Sequence, residues 1–118
     1  MSNKYAMIWT TDIGYMPGTN ATLNALEIHG LTDIDIYIMF FGDYKTDLPK
    51  EYIDSFPNVT WINITGDFDP GKSAYFYLVM FDYFFAINNL KEYKAIMFWG
   101  ADQCILSNFQ EYFEICEK

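Results

Sequence analysis

Apolar runs and polar breaks alternate along the chain with a regular beat. Tyr5–Thr10 is an apolar run rich in strand formers, ended by the polar turn TTDIG. Pro17 and Gly18 open a segment whose Leu23, Leu26 and Ile28 predict a helix with Thr22 and Glu27 outside. His29-Gly30 closes it, with glycine just past the helix end. Ile34–Phe41 (IDIYIMFF) is strongly β-prone and stops at Gly42-Asp43. Leu48–Phe56 predicts a short helix, with Pro49 near its first turn and Pro57 beyond its end. Asn58–Thr65 (NVTWINIT) alternates, which predicts a strand with one wetter face.

After the loop Gly66–Lys72, Ser73–Leu90 is apolar on more than one face and predicts a helix packed on a sheet. Asp82 interrupts it and is expected on the wetter edge. Lys94–Trp99 predicts a further strand. Ser107–Glu117 predicts a last helix, with Ser107 or Asn108 as N-cap and Glu111 completing a capping box. The order is β-α-β-α-β-α-β-α. It implies an α/β fold: a Rossmann-like, mostly parallel sheet of about four strands with helices on both faces. Ligands in such folds lie beyond the carboxyl ends of the strands. That rule selects the loops Thr11–Gly18, Gly42–Asp47, Gly66–Ser73 and Gly100–Ser107.

Composition narrows the function. The 118 residues form one domain, 52% apolar and 19% charged, enough to build a core. Seven lysines, no arginine and sixteen acidic residues give a formal charge of −9. That argues against nucleic acid and against an anionic membrane surface. One histidine, His29, excludes a multi-histidine metal site, and next to the helix end it reads as a cation facing the dipole. Cys104 and Cys116 are too few for a disulfide scaffold and read as reduced thiols. No stretch reads as a secretory leader or membrane span, so the expected location is cytoplasmic. The sequons at Asn20, Asn58 and Asn63 are then without consequence. The high aromatic content, spread at strand and helix spacing, reads as core.

The loops carry the candidate chemistry. In the first, either Thr11 or Asp12 caps a turn and Tyr15 packs at the rim, or backbone N–H groups at the following helix start meet a negatively charged ligand and Tyr15 covers a base or sugar. Neither dinucleotide fingerprint nor phosphate-loop motif is present. In the third, Lys72 is either a solvated lysine or a point charge on a diphosphate. In the fourth, Asp102 either caps the turn after the strand or holds a divalent cation, manganese or magnesium. No Ser-His-Asp or Cys-His grouping supports nucleophilic hydrolysis, so no catalytic residue is assigned.

The segments KYAMIWTTDIGYMPGTNATLNAL and KEYKAIMFWGADQCILSNFQEYFE resemble the GT-A type nucleotide-sugar glycosyltransferases, most closely family 8, the glycogenin and galactosyltransferase group. The resemblance spans nearly the whole chain in element order and these two segments in detail. It implies the donor-binding part of a UDP-hexose transferase, with Thr10, Thr11, Asp12 and Tyr15 at the nucleotide and Lys72 at the diphosphate. Asp102 matches the second aspartate of the family's Asp-x-Asp metal motif, and Gly100 stands where the first would be. The divalent cation would be manganese or magnesium and would assist the leaving diphosphate. The acceptor-binding half has no counterpart in residues 1–118, so the resemblance implies a nucleotide-sugar donor and an unknown acceptor, or a non-catalytic relative serving as a binding module. An incomplete sheet exposes an apolar edge, which predicts self-association.

Overall fold

The computed structural model describes residues 4–31, 33–64, 82, 85–100 and 113–115. Four strands, β1 (Tyr5–Thr11), β2 (Ile34–Phe41), β3 (Val59–Ile64) and β4 (Ala95–Phe98), form one sheet in the order β3-β2-β1-β4. Every pairing is parallel. Between them lie α1 (Met16–Ile28), α2 (Tyr44–Asp47) and α3 (Lys50–Asp54). Residues 85–89 and 113–115 are also helical. This is the expected α/β architecture. Among the described residues no helix is long and apolar enough to cross a membrane.

Two cores sandwich the sheet. On one face Tyr5, Met7 and Trp9 of β1 join Ile34, Ile36, Ile38 and Phe40 of β2, covered by Leu23 and Leu26 of α1 and by Leu48, Phe56 and Phe113. On the other face Ala6, Ile8, Met39 and Ile64 meet Ala86, Leu90 and Tyr93. Alternate residues of one strand thus serve opposite layers. Central β1 is buried on both sides, which is why its sequence reads as a continuous apolar run. The handedness of crossovers accounts for the two layers. The chain steps outward from β1 to β2 to β3, then returns past β1 to β4. Right-handed connections in opposite directions place their helices on opposite faces.

Helix α1 differs from expectation in which side it buries. Its buried stripe is Met16, Thr19, Thr22, Leu23 and Leu26, while Ile28 is 78% exposed. Positions 19, 22, 23 and 26 recur at helical spacing, and position 28 falls off that stripe. Thr22 is therefore inside and Ile28 outside, the reverse of the sequence expectation. The two threonines are satisfied by indoles. Trp9 Nε1 donates to Thr19 Oγ1 at 3.2 Å and Trp99 Nε1 to Thr22 Oγ1 at 3.4 Å. One helix face is thereby tied to β1 and to the stretch following β4. Gly30 ends the helix region at φ +76°, a backbone conformation that L side chains rarely adopt.

The loop expected over Gly42–Asp47 contains the short helix α2, and the helix expected over Leu48–Phe56 is confined to Lys50–Asp54. Asp43 explains the extra turn. Its carboxylate accepts from Lys45 N at 3.1 Å and Thr46 Oγ1 at 2.9 Å, and from Asn63 Nδ2 at 3.2 Å. Asn63 Oδ1 in turn accepts from Tyr44 N at 2.9 Å. The Thr46 bond foremost, with those from Asn63 and Lys45, holds the Asp43 carboxyl below its ordinary range. The carboxyl ends of β2 and β3 are thus closed by their own side chains.

Candidate functional site

The direction of strand order reverses between β1 and β4, the place where an open parallel sheet leaves a crevice at its carboxyl ends. The β1–β4 ladder ends at Ile8 opposite Phe98, and Trp99 N still donates to Ile8 O at 3.0 Å. Beyond that bond Thr10 and Thr11 run on in β1, while the chain after β4 passes through Trp99 to Gly100. Ile13, Tyr15, Phe41 and Phe98 are exposed near these strand ends. β1 and residues 95–100 carry no charged side chain.

Thr10 and Thr11 are adjacent in β1 and so project to opposite faces. Thr11 is 3% exposed and donates to Asp12 O at 3.2 Å. Thr10 is half-buried and donates to Asp82 Oδ1 at 2.5 Å. Asp12 caps the 3-10 turn Ile13–Tyr15, where its Oδ1 accepts from Tyr15 N at 3.0 Å. That cap fixes the turn from which Tyr15 projects, and Tyr15 is 57% exposed. The structure therefore gathers Thr10, Thr11, Asp12 and Tyr15 at one strand end. It gives Thr11 and Asp12 work within the turn, and leaves the Tyr15 ring open. Lys72 and Asp102 lie outside the described residues, as do Cys104 and Cys116.

Asp82 corrects the sequence expectation. It does not lie on a wet edge but is 6% exposed, inside the layer that covers the second face of the sheet. Burial pushes its carboxyl up to about 7, and the hydrogen bond from Thr10 opposes that rise. Residues 85–89 and 95–100 and β1 supply no side chain of opposite charge. The sequence signal was present but ambiguous: one carboxylate in a run apolar on several faces is either at a boundary or buried with a partner. The partner, 72 positions upstream, is not visible from local spacing.

A second polar cluster lies at the opposite end of the sheet. Tyr93 Oη donates to Asp35 Oδ2 at 2.6 Å and lies 2.7 Å from Tyr37 Oη. Asp35 and Tyr37 belong to the first half of β2, so this group locks the amino end of β2 to the approach to β4. Burial first, then the bonds to Asp35 and Tyr37, raise the Tyr93 phenol well above its ordinary value.

Among the described residues no group of three or more His, Cys, Asp or Glu side chains is placed to hold a metal ion. The Asp12 carboxylate is engaged in its turn, and Gly100 contributes no ligand. No protein-family model matches this chain, and neither does any curated protein.

Proposed function

We propose that this chain is a glycosyltransferase-like domain that binds a nucleotide-sugar donor, a UDP-hexose, at the carboxyl end of β1. The observation that carries the reading is the open Tyr15 ring, held on an Asp12-capped turn beside the point where strand order reverses. An aromatic face in that position suits a base or ribose, since stacking needs a flat apolar surface with access to solvent. Thr10 at the same strand end supplies a hydroxyl. The resemblance in the segments around Thr10–Gly18 and Tyr93–Glu114 points to the same ligand class. In this reading Lys72 meets the diphosphate and Asp102 the manganese or magnesium ion, and a hexosyl group passes to an acceptor of unassigned chemistry.

Gly100 favours a second reading, a relative that has kept the fold and lost the transfer chemistry. A glycine offers no carboxylate where the resembling family places the first aspartate of its metal motif. Calorimetric titration of UDP, with and without manganese, separates the two. Manganese-dependent binding supports the transferase reading. Binding that ignores manganese supports a non-catalytic module. Absence of binding in both conditions removes the donor-site reading.

A further inference from the structure

Among the described residues the Asp82 carboxylate finds a partner for one of its two oxygens. Oδ1 accepts from Thr10 Oγ1. Oδ2 makes no hydrogen bond and no ion pair with any described residue. Asp82 is more than nine-tenths buried. A carboxylate so enclosed gives up most of its hydration, and an oxygen left unpaired there is costly unless something donates to it. Thr10 places this oxygen at the carboxyl end of β1, next to the reversal of strand order where a ligand crevice is expected.

We propose that Asp82 is a ligand-binding residue, whose open Oδ2 accepts a hydrogen bond from an uncharged donor group, a hydroxyl or an imide N–H, seated at the carboxyl end of β1 beside Thr10. The site's electrostatics select that chemistry. A diphosphate at this oxygen would meet a like charge at close range. A divalent cation prefers several oxygen ligands, and no such group is placed among the described residues. A neutral donor needs only the one open oxygen. It also favours the ionised carboxylate, because a hydrogen bond to the charged form stabilises that form. This inference rests on the donor-binding reading only for the kind of molecule that brings the group, a nucleoside or a hexose.

The test follows the Asp82 carboxyl directly, by carbon NMR of the full chain at pH 8. The resonance is assigned by its loss in Asp82→Asn. Uridine, methyl glucoside, UDP and manganese are titrated in turn, with calorimetry of the same probes on wild type and Asp82→Asn. The expected result is movement of the Asp82 signal with uridine or with methyl glucoside, and affinity for that probe reduced about tenfold in Asp82→Asn, the loss of one hydrogen bond to a charged group. Movement with uridine assigns the donor to the nucleoside, and movement with the glucoside assigns it to the hexose. Movement with either, where UDP itself does not bind, retains this proposal and removes the nucleotide-sugar reading. UDP binding that leaves both the Asp82 signal and the Asp82→Asn affinity unchanged does the reverse. A signal that responds to none of the probes, or to manganese alone, overturns the proposal.

Discussion

Thr10 and Asp82 are 72 positions apart in the chain, and their side-chain oxygens lie 2.5 Å apart in the fold. The contact joins the end of the central strand to the layer that covers the sheet's second face. It also buries a carboxyl group with no opposite charge to meet it among the described residues.

Burial raises the Asp82 carboxyl from 3.8 to about 7, so the folded chain holds this proton more tightly than the unfolded chain. Stability from that proton is fully present below the unfolded value and is lost as pH rises through the folded one. The window is therefore about pH 4 to 7. At the familiar conversion of about 1.4 kcal/mol per pH unit, the loss is on the order of 4 kcal/mol at most. Urea midpoints of the wild type should fall between pH 5 and pH 8. Asp82→Asn, neutral at every pH and of the same shape, should flatten that slope and raise the midpoint at pH 8. An unchanged slope in the variant would assign the effect to another group. Asp43 acts in the opposite sense, since its lowered carboxyl loses stabilisation as pH falls below the ordinary carboxylate range.

The buried pair Trp9–Thr19 provides a test of packing chemistry. Both residues are 0% exposed, and the indole N–H donates to the threonine hydroxyl. Thr19→Val keeps the shape and leaves the N–H without its acceptor, which should cost about 1–3 kcal/mol in urea unfolding. Thr19→Ser retains the oxygen and loses a methyl group, so it should cost less than Thr19→Val. If the two variants are reversed in order, the hydrogen bond matters less than the methyl packing.

These residues also separate what is local in this fold from what is not. Strand β2 was legible to the residue, Ile34–Phe41, because a central parallel strand is apolar on both faces and is bounded by glycine and a polar turn. The parallel order was legible from the alternation of elements. The buried side of α1 was not, because Thr19 and Thr22 enter the core only through tryptophans from other elements. Helix α2 was hidden because it is only four residues long, and Asn63, twenty positions after Asp43, joins the bonds around its local cap. Asp82 looked like a boundary residue because its partner lies on β1. At the candidate site the turn cap of Asp12 and the exposure of Tyr15 were both among the readings the sequence allowed. Local spacing revealed the groups, and it did not show which of them long-range packing buries.

Tyr93 is expected to remain protonated where ordinary phenols ionise. Its hydroxyl is held by the Asp35 carboxylate and by Tyr37, and both disfavour a tyrosinate. Ultraviolet titration of the folded chain to pH 11 should therefore give the same count of ionising tyrosines in wild type and in Tyr93→Phe. Tyr93→Phe should also lose about 1–3 kcal/mol of stability, because the Asp35 carboxylate gives up a charge-assisted bond. A count lower by one in the variant would show that Tyr93 ionises normally and that the cluster is looser than its distances indicate.

At the strand end, folding and the proposed binding rest on different parts of Tyr15. Tyr15 is 57% exposed, and its backbone N–H, not its ring, receives the Asp12 cap. Replacing the ring with a methyl group should therefore shift stability by no more than about 0.5 kcal/mol, as is usual for surface positions. If the ring covers a nucleoside, Tyr15→Ala should weaken UDP binding about tenfold, on the scale of about 1–3 kcal/mol measured for stacking a base on an aromatic side chain. Thr11→Val should behave in the opposite way. Thr11 is buried and its hydroxyl serves the Asp12 carbonyl, so its loss should lower the urea midpoint and change UDP affinity little beyond that. Calorimetry and urea unfolding on the same two variants give four numbers. A Tyr15→Ala variant that binds UDP as wild type does would remove the ring from the site, and with it the observation on which the donor-binding reading rests.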